Sequence, residues 1–175
     1  IAVELTGQET EIDKFLVGRV ADPLLHLVRN AISHGIESVS ERLAAGKASQ
    51  GHIWLSAKTQ GEIVVIEIAD DGRGIDLESI QAKAPEIELK HEDGRIDFNR
   101  LLDIITAPGF STRDEADRAS GRGVGMDIVA RGIRELDGQL SLHTEPGVGT
   151  TFRLELPLTL AFTDALVSVV DEQTF

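Results

Sequence analysis

Ile63-Val64-Val65-Ile66-Glu67-Ile68-Ala69-Asp70-Asp71-Gly72-Arg73-Gly74 decides the fold. A run rich in β-branched residues predicts a strand over 63–69, and it stops on two carboxylates and two glycines, which predict a loop over 70–74. Upstream, Ile53, Leu55 and Ala57 alternate with other residues and predict a second strand, joined to the first by a turn at Gly61. Further upstream, Asp22 and Pro23 read as the cap and first residue of a helix with an apolar stripe at 24, 27, 28, 31 and 32, stopped by Gly35. Between Gly35 and Gly51 the chain reads as a polar stretch.

Downstream, 84–94 has no period and is expected to be irregular. Phe98, Leu101, Leu102 and Ile105 predict a short helix ended by Ala107-Pro108-Gly109. A charged loop over 113–122, expected to act as a lid, runs into glycines. Met126, Val129, Ile133 and Leu136 then mark a helix ending near Gly138, and residues 140–156 predict a second hairpin around Pro146 and Gly147. The expected fold class is α+β, a two-layer α/β sandwich with helices on one face of a mainly antiparallel mixed sheet.

Composition narrows the function. The 175 residues carry a net charge of −13, which disfavours nucleic acid and acidic membranes as partners, since both need a positive field. There is no cysteine, so neither a disulfide framework nor a thiolate metal site is open to this chain. No run of about 18 apolar residues occurs, so direct membrane insertion is not expected. The first residues, Ile1 to Leu5, do not have the pattern of a signal peptide and read as cut from a longer chain. An anionic ligand would have to be held by helix N-termini, backbone N–H groups and a few placed cations.

Three constellations could do that. His26 and Asn30 are four apart on a helix and share a face, and an Asn carbonyl suits Mg²⁺; facing solvent is the equally plain alternative. Asp70, at a strand end, can accept from the exocyclic amine of adenine, where guanine presents a repelling carbonyl. Gly72 and Gly74 allow close backbone approach to a base, although Asp-Gly is also an ordinary turn. Gly121, Gly123 and Gly125 precede a helix and can offer N–H groups to phosphate, or simply form a hinge.

In this order the three resemble the N box and two glycine boxes of the gyrase, histidine kinase and MutL ATPase superfamily. Phe110 resembles its F box, and Gly147-x-Gly149-Thr150 its last glycine box. Residues 22–31, 107–112 and 120–127 are similar to CheA-type chemotaxis histidine kinases. The resemblance implies the Bergerat fold over residues 1–157, with 158–175 the start of an SH3-like regulatory domain. It further implies a Mg-ATP site in which Asn30 ligates Mg²⁺ and His26 lies near the γ-phosphate as a base or hydrogen-bond partner. Asp70 would read adenine with help from Thr150 through a water, over Gly72 and Gly74. Lys83 and Arg113 would reach the phosphates, Gly121, Gly123 and Gly125 would form the hinge and cradle, and Met126 would line the adenine pocket.

The implied partners are a histidine-containing phosphotransfer domain of the same full-length protein, response regulators, and a coupling protein with chemoreceptors. The location implied is cytoplasmic, with a homodimeric full-length protein and a monomeric fragment. A DNA-dependent ATPase of the gyrase or MutL type, or a non-catalytic nucleotide-binding module, are the alternatives. The former would place a glutamate base in the N-box region, where this chain has His26.

Overall fold

The computed structural model describes residues 1–91, 93–110 and 125–158, and the backbone of 169–170 and 173–174. Five strands form one mixed sheet: β1 (Ala2–Thr6), β2 (His52–Gln60), β3 (Ile63–Asp70), β4 (Gln139–Glu145) and β5 (Gly149–Pro157). Their order is β1-β2-β3-β5-β4. Only β1 and β2 are parallel; the other neighbours are antiparallel. The expected hairpins are therefore both present, as β2–β3 and β4–β5. The central strand β3 ends with Asp70 opposite Ile53 on one side and Thr150 on the other. Its position in the middle of the sheet is why its sequence is apolar almost throughout: Val64, Val65, Ile66 and Ile68 are all buried.

The helices are α1 (Lys14–Asn30), α2 (Val39–Ala44), α3 (Leu77–Lys83), α4 (Phe98–Ile105) and α5 (Met126–Arg134). Leu16, Val20 and Leu27 of α1 and Val129 and Ile133 of α5 join Ile53, Val64, Ile66, Ile68, Leu154 and Leu156 in one core. Each such side chain taken fully out of water contributes about 1.5–3 kcal/mol. A smaller cluster joins α3 and α4 to β4 through Ile80, Leu101, Ile104 and Leu142, with Phe110 packed against it. Residues 84–91 and 93–97 carry no helix, and an isolated bridge from Lys90 to Ile96 is their one ladder contact among the described residues.

Two expectations about the first helix need correction. The helix does not begin at Pro23; it begins at Lys14, where the Asp13 carboxylate accepts from the Phe15 N–H at 2.7 Å. Its buried stripe, Leu16-Val20-Pro23-Leu27, runs straight through the proline. An interior proline removes a backbone hydrogen bond and costs about 3 kcal/mol. Here its ring is buried and faces Gly132 of α5, where a Cβ would stand 3.2 Å from Pro23 Cγ. Nor does the helix simply stop at Gly35. It widens into one turn of π-helix over Ala31–Gly35, closed by the Ile36 N–H on the Ala31 carbonyl at 2.8 Å. Such turns are rare, and they cluster at functional sites.

Candidate nucleotide site

The π-turn brings Gly35 against the end of β3. A Cβ on Gly35 would stand 3.1 Å from Asp70 Oδ1, so the helix passes the carboxylate as closely as a glycine allows. Gly72 is fitted in the same way, since a side chain there would run into the Gly35 carbonyl. The Gly72 N–H donates to Asp70 Oδ1 at 2.9 Å. Burial raises the Asp70 carboxyl above its ordinary range; the backbone amides of Gly72 and Thr150 oppose this, and the charges of Asp71 and Glu37 add to it. Asp70 is thus a half-buried acceptor in fixed orientation, flanked by backbone that could lie flat against a planar ring.

Gly74 approaches the turn after β4, where a Cβ would stand 2.6 Å from the Glu145 carbonyl. Thr150 is buried, and its hydroxyl meets that of Thr144 at 3.2 Å. Its backbone faces Asp70, so its link to the site is through the main chain as much as through the hydroxyl.

On α1, His26 and Asn30 are both half-buried one turn apart. Asn30 Nδ2 lies 3.3 Å from Met126 Sδ, at the first turn of α5. The planar amide then turns its carbonyl oxygen, the atom a magnesium ion would take, away from the methionine. Burial, and then the charge of Arg29, lower the His26 pKa, with Asp127 pulling the other way. Gly125 caps α5 directly beside Met126. Among the described residues no group of three or more His, Asp or Glu side chains is placed to hold a metal alone. A magnesium ion here would take most of its ligands from phosphates and water, as this cation ordinarily does.

Lys83 stands in the last turn of α3, exposed. Arg113, Gly121 and Gly123 lie outside the described residues, as do the expected lid and most of the expected regulatory segment. The structure thus joins Asn30 with Met126, and Asp70 with Gly72 and Thr150, and the π-turn links the two groups.

Sequence reading passed over the polar stretch before Gly51, which contains a buried, ion-paired arginine. Arg42 is 1% exposed and pairs with Glu37 at 3.1 Å and Asp71 at 2.7 Å, and Lys47 pairs with Glu37 at 2.7 Å. A signal was available: Ser38-Val39-Ser40-Glu41 forms a capping box that starts α2.

A family model described as "Histidine kinase-, DNA gyrase B-, and HSP90-like ATPase" matches residues 19–160. The chain belongs to this ATPase family. Chemotaxis protein CheA of Klebsiella aerogenes is 48% identical over 175 residues, covering 99% of this chain and 27% of the relative. Chemotaxis protein CheA of Bacillus subtilis is 40% identical over 177 residues, covering 100% of this chain and 26% of the relative. The chain therefore spans about a quarter of the length of these curated relatives. Among solved structures, the catalytic domain of histidine kinase ThkA matches with a TM-score of 0.52 at 21% identity. That match covers 89% of this chain and 77% of the other, and it shows the expected sandwich. Among the described residues no helix is long and apolar enough to cross a membrane.

Proposed function

We propose that this chain is the ATP-binding domain of a chemotaxis-type histidine kinase, which takes the γ-phosphate of Mg-ATP to a histidine on a separate phosphotransfer domain. Response regulators would then receive the phosphate, and segment 158–175 would lead toward the coupling protein and receptors. The observation that carries the reading is the Asp70 carboxylate, presented at the end of β3 beside Gly35 and Gly72, with Asn30 on the adjoining helix. Identity of 40–48% to CheA proteins over the whole chain supports the histidine-kinase branch of the family.

Each residue has a task in this reading. Asp70 accepts from the adenine amine, and Gly72 and Gly74 let the backbone lie along the base. Met126 borders the pocket and orients the Asn30 amide, whose oxygen would hold magnesium; the metal would neutralise charge on the phosphates. His26, kept neutral at pH 7 by burial and Arg29, can accept a hydrogen bond or a proton. The chemistry asks mostly for positioning, which helices and a strand end supply better than loops do.

Calorimetry with ATP and GTP tests the reading. GTP would set a carbonyl against Asp70, and a site built on one hydrogen bond can discriminate by orders of magnitude. ATP should bind and GTP should not, and Asp70→Ala should lose ATP. Equal binding of both nucleotides would refute the assignment.

A further inference from the structure

The peptide unit joining Asp71 to Gly72 is gripped from both sides. Its N–H, on Gly72, donates to Asp70 Oδ1 at 2.9 Å. Its carbonyl, on Asp71, accepts from Lys47 Nζ at 2.9 Å and from Arg42 Nη1 at 3.1 Å. A trans peptide is planar with its N–H and C=O opposed, so fixing the carbonyl fixes the direction in which the N–H points. Lys47 also holds the next carbonyl, that of Gly72, at 2.7 Å, and takes Glu37 Oε1 at 2.7 Å as its third acceptor.

Arg42 completes the grip. Its guanidinium takes both oxygens of Asp71, at 2.7 and 3.2 Å, while its remaining donors reach Glu37 and the carbonyls of Ala48 and Gln50. The His52 N–H adds a further bond to Asp71 Oδ1 at 2.8 Å. Against the pull of burial, the His52 amide and Arg42 hold the Asp71 carboxyl below its ordinary range. A buried ion pair is by itself weak evidence for stability, because desolvation consumes much of the attraction. This network is unusual in where it ends: on the two carbonyls that follow Asp70.

We propose that Lys47 and Arg42 are positioning residues for adenine recognition, aiming the Gly72 N–H at Asp70 and so holding its carboxylate in the orientation that accepts the 6-amino group. This rests on Asp70 being the adenine contact. Neither cation touches the nucleotide; both act through the Asp71–Gly72 peptide. The polarised peptide also strengthens the bond to Asp70, since hydrogen bonds in series reinforce one another.

The test compares ATP with purine riboside 5′-triphosphate, which lacks only the 6-amino group, by calorimetry on the 175-residue chain. Unmodified protein should prefer ATP by roughly ten- to a hundredfold, the range of a hydrogen bond to a charged group. Lys47→Met should cut that ratio by about threefold or more, while affinity for the purine analogue changes by less than about twofold. Should Lys47→Met not fold, Lys47→Leu, which likewise removes the donor, gives the same comparison. Glu37→Gln, which leaves both carbonyl contacts of Lys47 in place, should keep the ratio. A Lys47 variant that weakens both ligands equally, or keeps the full ratio, overturns the proposal. Absence of any preference in the unmodified chain removes the Asp70 assignment itself, a different failure.

Discussion

Asp70 sits where burial disfavours its charge and where the backbone amides of Gly72 and Thr150 favour it, and burial is the larger effect. Its carboxyl in the folded chain therefore titrates above the ordinary carboxylate range. The stability associated with that shift is complete below the ordinary range and is lost as pH rises through the raised value. At neutral pH the ionised group is a cost to the fold, which the proposed adenine contact would account for. Asp70→Asn should thus raise the melting temperature of the ligand-free chain at pH 7, by about 2–4 °C for each kcal/mol relieved. The gain should shrink as pH falls toward the ordinary carboxylate range, and added ATP should no longer shift the melting curve. A variant less stable than the parent at pH 7 contradicts this account. The place of Asp70 at the strand end was legible because a carboxylate closing an apolar run, followed by alternate glycines, is a local pattern. The clamp behind it was not. Arg42 and Lys47 stand among other charges in a polar stretch, and nothing in their spacing says that they fold back 29 and 25 residues onto Asp71 and Gly72.

Between elements, the contact of α1 with α5 carries Asn30 to Met126, and Pro23 faces Gly132 across it. The strands were readable because β-branched runs and turn glycines are short-range signals. The beginning of α1 was not, because a proline after an aspartate is the ordinary mark of a helix start, and only tertiary packing reverses it. Leu16 and Val20 extend the same stripe, so burial outweighed the lost hydrogen bond. β1, α2 and α3 were also passed over; each is five to seven residues long and too short for a period to emerge. The Pro23–Gly132 contact makes a quantitative prediction. Gly132→Ala gains about 1 kcal/mol in helix propensity and needs only a small shift of the ring, so it should be close to neutral. Gly132→Val adds two methyl groups beyond that Cβ against Pro23 and should destabilise by about 1–3 kcal/mol. Urea denaturation of both variants checks this, and a valine variant as stable as the parent would show that the helices are not in tight contact there.

Taken whole, the molecule is an acidic sandwich whose charge of −13 leaves little for a polyanion to hold, and whose candidate site lies between one strand end and two helices. The proposed transfer to a histidine on a separate domain accords with where this chain's own histidines stand. Of its five histidines, His52 stacks on Trp54 at 5.6 Å in β2 and His143 packs against Phe98 at 4.6 Å in β4. His26 and His34 belong to α1 and its π-turn, and His91 lies beside Asp97 at 4.0 Å. Four of the five thus lie on the sheet or on α1 and its π-turn, the elements that hold the candidate site, whereas a phosphoacceptor must approach the γ-phosphate in line and near contact. The decisive measurement is incubation of the chain with γ-labelled Mg-ATP, alone and with a separate histidine-containing phosphotransfer domain from a CheA relative. The account predicts label on the added domain, none on this chain, and none on either with Asp70→Ala. Stoichiometric label on this chain, or an added domain left unlabelled while ATP is bound, would contradict it.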